Sequence, residues 1–524
     1  MCQNLPDLTG NIMSDADTEE DHGPFGRPLF DDPSARALSR VGVVDVGSNS
    51  VRMVVFDGAA RSPAYFYNEK IMCGLGKGLA ETGMLNPSGR VRALAALKRF
   101  SLLAKGMGIE TMSIVATAAT RDAKDGPAFQ AEVLEKTGLK LHVIDGGEEA
   151  RLSAQGVLLG WPEAKGIVCD IGGNSMEMAR IGGGKVGKRV STQLGPFRLQ
   201  QIEGGPQKRI AHIGRILKDC QAELKSEGER IYLVGGSWRV IARLDMERRN
   251  YPLTVLHEYR MTTKNLLDTL DWLATADLAV LRGRTGTSPE RMELVPLACE
   301  VLREIVRIFK PSEIDVSAYG IREGLLYEQM PERLRARDPL IEAARMAEKT
   351  SSRIPGFGKK LYEFLEPLFP NATEERVRLI KAACLLHDTT WRAHPDFRAE
   401  ACFDSATRAN LGGLDHPGRV FLGLALLHRY KNSRAGSRLE PMFRLLTEDE
   451  IQEAEVLGKA MRFGAMFAVG DPARAGRLMW TPKKRLLELV LTEEGRGLLG
   501  EVSSARFAAL AQAMKATTKI SDAV

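Results

Sequence analysis

The residues of this 524-residue chain that could do chemistry stand in short polar turns between apolar runs. Asp45, Gly47, Ser48, Asn49 and Ser50 form one such turn inside VGVVDVGSNSVRMVVFD (residues 41–57). Consecutive backbone N–H groups beside small hydroxyl and amide side chains make a concave set of donors that suits a phosphate group, although an ordinary polar turn has the same composition. A second turn, in GIVCDIGGNSMEMARI (residues 166–181), places Asp170 and Glu177 on either side of Gly172, Gly173, Asn174 and Ser175. Two carboxylates flanking a glycine-rich loop suit a hydrated magnesium ion beside bound phosphates, because magnesium takes one or two carboxylates and keeps several waters. A third turn, Gly235, Gly236 and Ser237 ahead of Trp238 and Arg239, follows an apolar run and leads into a helical period. Its backbone donors would lie at a helix N-terminus, where anions are favoured, or the glycines serve only the backbone angles of the turn.

Two further groups each follow a predicted strand, where α/β folds expose functional side chains. ATAATRD (residues 116–122) carries Arg121, and DGGEEAR (residues 145–151) carries Glu148 and Glu149. Glutamates at a helix start complement the macrodipole; within reach of bound phosphate, one of them could orient and deprotonate an attacking water.

The elements that must position these groups read as α/β. Each of the first two turns joins two apolar runs and so predicts a β-hairpin, and the two hairpins share one template: strand, Asp, apolar residue, Gly, polar turn, strand. This is a degenerate internal duplication, and it predicts two similar lobes facing each other across a cleft. Helical periods over 87–105, 207–227, 263–274 and 289–309 alternate with short strands over 112–116, 141–144 and 230–234. From about Met330 no convincing strand follows and apolar residues recur at helical spacing. The expected organisation is a disordered acidic leader (1–40), lobe I (41–160), lobe II (161–332) and an α-helical domain (333–524) that could itself be in two parts.

Composition sets limits on the function. Hydrophobic residues make up 44% and charged residues 27%, ordinary for a globular protein, and no run reaches the ~18–20 apolar residues that a bilayer span needs. The first residues lack the features of a secretory signal, so a cytoplasmic location is expected. The seven cysteines are scattered without a CxxC, which predicts reduced, mostly buried thiols rather than disulfides or a thiolate zinc site. Residues 1–40 hold eight acids against three bases, so the rest carries +11 of a chain total of +6. A basic folded part favours an anionic partner through long-range steering.

VDVGSNSVRMVV, ATAATRDA, DGGEEARLSAQGV, VCDIGGNSMEMA, YLVGGSWRVIA and SAYGIREGLLYE, in this order and spacing, resemble the exopolyphosphatase/guanosine-pentaphosphate phosphohydrolase family of the actin-like ATPase-domain superfamily. The likeness spans about residues 41–330 and is weaker in the helical remainder. It implies two actin-like, ribonuclease H-type lobes with phosphate bound between them, then a helical domain related to the HD phosphohydrolases. Carried over by position, it makes Glu149 the catalytic base and Arg121 the arginine of the strand-end motif. Asp45, Gly47, Ser48, Asn49 and Ser50 become the first phosphate loop, Gly172, Gly173 and Ser175 the second, and Asp170 and Glu177 the metal-associated carboxylates. The family commonly shows DIGGGSTE, where this chain has Asn174 and Met176. The third loop has Gly236-Ser237-Trp238 in place of GGT, which argues against adenosine-type nucleotide binding and suggests that Trp238 narrows the cleft. His387 and Asp388 form an HD dyad, but no histidine lies between His257 and His387 to supply the upstream ligand, so a structural dyad is favoured over a second active site. His394, His416 and His428 keep the alternative open.

The expected activity is release of terminal phosphate from inorganic polyphosphate with Mg2+, by in-line attack of water aligned by Glu149. Hydrolysis of guanosine pentaphosphate is the alternative within the same chemistry, and a non-catalytic polyanion-binding regulator is the alternative outside it. Basic clusters at Lys359/Lys360, Arg376/Arg378/Lys381 and Lys483/Lys484/Arg485 could guide a long polyanion or be plain solvated surface. A homodimer is the leaning; a membrane or nucleic-acid partner is not expected.

Overall fold

The computed structural model describes Phe25 and residues 40–57, 61–109, 111–435 and 438–523. Lobe I is built on β1 (Val41–Val46), β2 (Ser50–Phe56), β3 (Tyr65–Met72), β4 (Thr111–Ala116) and β5 (His142–Val143), in the order β3-β2-β1-β4-β5. Lobe II uses β6 (Gly166–Ile171), β7 (Met176–Gly182), β8 (Lys185–Thr192), β9 (Ile231–Gly235), β10 (Tyr259–Met261) and β11 (Ile314–Val316), in the order β10-β11-β9-β6-β7-β8. In both, a three-stranded antiparallel ribbon is followed by a strand parallel to its first member: β1 pairs with β4, and β6 with β9. The duplication inferred from the hairpins is therefore a duplication of topology. Apart from Asp45 and Asp170, β1 and β6 are apolar on both faces and buried, as strands covered by helices on each side must be.

The helices Gly146–Gly160 and Ile321–Gln329 lie between the two sheets. One buried cluster joins Val43, Val54 and Phe56 of lobe I through Leu152 and Leu158, and Leu326, to Val168 and Tyr232 of lobe II. The two helices approach closely because glycines face the contact. A Cβ on Gly324 would fall 1.8 Å from the Leu152 carbonyl oxygen, and one on Gly156 would fall 2.2 Å from that of Gly320. These glycines explain the SAQGV and IREGLL segments as packing motifs. The other helices cover the outer faces: Pro87–Gly106 and Gly126–Thr137 bring Leu97, Phe100 and Phe129 to lobe I, while Gly205–Leu224 and Val295–Phe309 line lobe II.

The single helical period over 289–309 is in fact two helices, Pro289–Met292 and Val295–Phe309. Pro296 stands in the first turn of the second, the place where a residue without an N–H is tolerated. The C-terminal part is helical as expected, with one correction: β12 (Gly476–Thr481), β13 (Leu486–Leu491) and β14 (Thr517–Asp522) form a three-stranded sheet. Its six-residue strands hide in the sequence because their alternation is shorter than a helical period needs to be ruled out. The sheet shares one core with the helices, in which Leu478, Leu487 and Leu489 join Leu361, Phe463 and Leu510.

Of the expected leader, residues 1–24 and 26–39 lie outside the described residues, but Phe25 belongs to the fold. It is 8% exposed, meets Tyr362 edge-on at 5.3 Å and accepts a hydrogen bond at its carbonyl from Arg345. Six cysteines, Cys73, Cys169, Cys220, Cys299, Cys384 and Cys402, are free thiols, and Cys2 lies outside the described residues. No helix among the described residues is long and apolar enough to cross a membrane.

Candidate active site

The two hairpin turns have the same local geometry. In lobe I the Gly47 N–H donates to the Ser50 carbonyl at 3.0 Å; in lobe II the Gly172 N–H donates to that of Ser175 at 2.9 Å. The carbonyls of Ser48 and Asn49, which would repel a phosphate, are engaged by the N–H groups of Gly76 at 2.8 Å and Gly74 at 2.9 Å. The turns meet across the lobes, since a Cβ on Gly173 would stand 3.3 Å from Ser48 Cβ. The third turn completes the wall. Gly235 has φ +110°, and a Cβ there would collide with the Ile171 carbonyl oxygen at 2.5 Å, so only glycine brings the N-terminus of the helix Gly236–Arg248 this near β6. No side chain caps that N-terminus, which leaves its first N–H groups to a ligand or water. All three turns line one open cleft of about 210 Å3.

The carboxylates follow from the sheet register. Asp170 and Glu177 are directly opposed on β6 and β7, so their side chains share a face. Asp170 is half-buried and Glu177 buried. Ser191 donates to Glu177 at 3.0 Å and Ser153 donates to Asp170. Burial, then the Asp170 charge, pushes the Glu177 carboxyl up to about 8. Burial likewise raises Asp170 and Asp45. Glu149 stands in the first turn of the helix Gly146–Gly160, whose N-cap Asp145 accepts from the Glu148 N–H at 2.7 Å. Burial first, then Glu177 and Asp170, raises Glu149 well above the ordinary carboxyl range, and Arg121 opposes this. Arg121 Nη1 donates to Glu149 Oε2 at 3.3 Å and to the Ile144 carbonyl at 3.1 Å. Glu148 is turned aside to Arg151, which separates the two adjacent glutamates by role.

The cleft brings together Asp45, Gly47, Ser48, Asn49, Ser50, Glu149, Asp170, Gly172, Gly173, Ser175, Gly235, Gly236 and Ser237. Three expected residues stand elsewhere. Glu177 is 1% exposed and sits behind the wall; Arg121 does not line the cleft and pairs with Glu149; and Asn174 lines a neighbouring cavity of about 710 Å3. Trp238 does not narrow the cleft: it is fully buried in the lobe II core, because it occupies the inward face of its helix.

Five basic residues that the polar-turn pattern does not mark also line the cleft: Arg52, Lys70, Arg239, Arg291 and Arg322. Arg52, Arg239 and Arg322 lie inside the motifs themselves, and a scan for cations near each polar turn would have found them. Lys70 and Arg291 carry no local signal. Arg52 opposes Asp45 on β1–β2, the register position that Glu177 holds opposite Asp170, so the duplicated hairpins carry a cation in one lobe and a carboxylate in the other. Arg52 Nε is held by Asn68 at 2.8 Å and Arg239 Nε by the Ser317 carbonyl at 2.9 Å. Arg322 Nε is buried without a hydrogen-bond partner. Lys70 opens to solvent at the mouth, yet the cleft walls strip much of its water and Arg291 and Arg52 repel it, so its ammonium falls to about 7.

Among the described residues no three His, Cys, Asp or Glu groups converge into a metal cage. The donor set does fit a cation that keeps its own waters: the carboxylates of Asp170 and Glu177 lie together, offer only hard oxygen atoms, and resist ionisation chiefly through burial, with the Asp170 charge adding to the shift of Glu177, a cost that a divalent charge would relieve.

The HD dyad is tied up internally. Arg353 donates to Asp388 Oδ2 at 2.8 Å and to Oδ1 at 2.6 Å, and His387 Nδ1 meets the Cys384 carbonyl at 2.8 Å. His416 instead bonds Tyr251 at 3.0 Å. Much of the expected basic surface is also paired: Arg376 with Glu450 and Glu453, Arg378 with Asp338 and Glu375, Lys360 with Asp471.

Residues 54–333 match the model of the Ppx/GppA phosphatase family, and residues 340–520 match that of the exopolyphosphatase C-terminal domain. Retrograde regulation protein 2 of Saccharomyces cerevisiae is 24% identical over 507 residues, covering 86% of this chain and 80% of that protein. Exopolyphosphatase 2 of Mycobacterium tuberculosis is 26% identical over 313 residues, 55% of this chain and 98% of that one. The crystal structure of an exopolyphosphatase from Cytophaga hutchinsonii covers 55% of this chain and 97% of its own, with a TM-score of 0.51 at 21% identity, and shares its fold.

Proposed function

Because the chain belongs to the Ppx/GppA phosphatase family, we propose that it is an exopolyphosphatase that cleaves terminal phosphoryl groups from inorganic polyphosphate. The observation that carries this reading is the grouping of Arg52, Lys70, Arg239, Arg291 and Arg322 along the cleft that the three glycine turns line. So many cations suit a substrate with charge on every unit, not a single phosphomonoester.

The terminal phosphoryl would lie between the turns of residues 47–50 and 172–175, with the N-terminus of the helix Gly236–Arg248 as a further donor array. The cations hold the following phosphates. Glu149 takes the proton of the attacking water; the water oxygen bonds to phosphorus as the bridging P–O bond breaks, and the shortened chain leaves as an oxyanion. A raised carboxyl pKa makes Glu149 a stronger base, and Arg121 fixes its orientation from 3.3 Å. Magnesium, held by Asp170 with Glu177 behind it, would supply charge to the phosphate oxygens. Most of the acceleration comes from positioning and electrostatics, as phosphoryl transfer requires.

Guanosine pentaphosphate hydrolysis is the second reading, favoured by the adjoining cavity of about 710 Å3, which shares Asn49 and Leu294 with the cleft and is roomy enough for a nucleoside. The likeness to a protein named as a regulator over most of the chain supports a non-catalytic reading in the same way. Phosphate release by the purified chain with magnesium, from long-chain polyphosphate and from guanosine pentaphosphate at matched terminal phosphate, separates the three. Faster release from polyphosphate is expected; silence on both would leave the regulator.

A further inference from the structure

A second cavity, of about 150 Å3, opens in the helical domain where the HD dyad lies, lined by Arg353, Phe357, His387, Asp388, Arg429 and Val469. The dyad makes no demand on it, since Arg353 holds both oxygens of Asp388. Nor do the helix ends that close on it. The carbonyls of Cys384, Leu386 and His387 accept from His387, Thr389 and Tyr430, and that of Glu348 from Ser352.

The unmet group is Arg429. It is 6% exposed, its Nε is buried without a partner, and among the described residues its guanidinium has no hydrogen bond or ion pair, only the Tyr430 ring at 4.8 Å. A guanidinium carries five N–H donors and cannot shed its charge, so burying it without an acceptor is costly. Burial and the repulsion of Arg353 lower its affinity for its own proton, with Tyr430 and Asp388 in opposition. Arg462 stands near enough for Arg429 to repel it. The charged residues that line the cavity are Arg353, Arg429 and Asp388, and Asp388 is already held by Arg353, so the local balance is cationic.

We propose that this cavity is a second oxyanion site, separate from the cleft, that takes orthophosphate or a sulfate-like tetrahedral anion against Arg429, with Arg353 at the mouth. The cavity is below the ~300 Å3 of ordinary small-molecule pockets, which excludes a nucleotide. The anion would supply the acceptors that Arg429 lacks, and charge-assisted bonds to arginine are the strong kind. In a phosphate-releasing enzyme such a site would sense product without competing at the cleft.

The test is calorimetric titration of the full chain with sodium orthophosphate at constant ionic strength, repeated with sulfate. Arg429→Met removes the donor, and Val469→Trp covers the mouth from an exposed rim position without disturbing the buried charge. Wild type is expected to bind one phosphate per chain more than either variant, or each variant to bind at one site at least tenfold more weakly than wild type. Equal stoichiometry and affinity in wild type and both variants would mean that water alone satisfies Arg429, and would overturn the proposal. The outcome is independent of whether the cleft hydrolyses polyphosphate.

Discussion

Asp170 and Glu177 face each other across the β6–β7 ladder as a direct pair, the first half-buried and the second buried, and among the described residues their side chains take hydrogen bonds from Ser153 and Ser191 and none from a basic side chain. Burial and Asp170 raise Glu177 to about 8, so the folded protein holds its proton more tightly than the unfolded chain. The stability this group contributes is full below the ordinary carboxyl pKa near 4.5 and is lost as pH rises through about 8. Magnesium binding the ionised pair should therefore raise the melting temperature clearly at pH 9 and little at pH 6. The difference should vanish in Glu177→Gln; scanning calorimetry at the two pH values checks it, and equal shifts in the wild type would remove the pair from the metal site.

Glu149→Gln keeps the shape and the Arg121 contact but cannot accept a proton. Turnover on polyphosphate should fall about 10²- to 10⁴-fold, the usual worth of a general base, with KM changed little. Arg121→Met, which removes the charge, should give a smaller loss than Glu149→Gln and move the acid limb of the rate profile upward, because Arg121 is the group that lowers the Glu149 pKa. A profile that does not move would mean Arg121 acts elsewhere.

Arg52 and Arg322 line the cleft. Arg52→Met and Arg322→Met should weaken long-chain polyphosphate binding more than short-chain binding. By the counterion-release argument, each should flatten the slope of log affinity against log salt by about one. Binding isotherms at three or more salt concentrations decide it; a loss independent of chain length would confine both residues to the terminal phosphate.

Gly324 meets the Leu152 carbonyl so closely that an added Cβ would stand 1.8 Å from it. Gly324→Ala must part the two helices that carry Glu149 and Arg322. A cost of about 1–3 kcal/mol, typical of overpacking, should appear as a lower denaturation midpoint together with reduced turnover. An unchanged midpoint would show that the contact yields freely.

What the sequence determined by itself is local. A glycine turn between two apolar strands is specified by a few neighbouring residues, so both hairpins, all three turns and the pairing of Asp170 with Glu177 could be read in one dimension. The family motifs then located Glu149. Tertiary structure decided which side chains converge. Lys70 comes from an edge strand and Arg291 from a short helix of lobe II, and only the packing of two helices between two sheets brings them to one cleft. It decided too that Trp238 points into the core, that Asp388 is neutralised by Arg353, and that Arg376 and Arg378 pair with acids. Local periodicity fixes which face a residue takes; what lies opposite that face depends on elements far away in the chain.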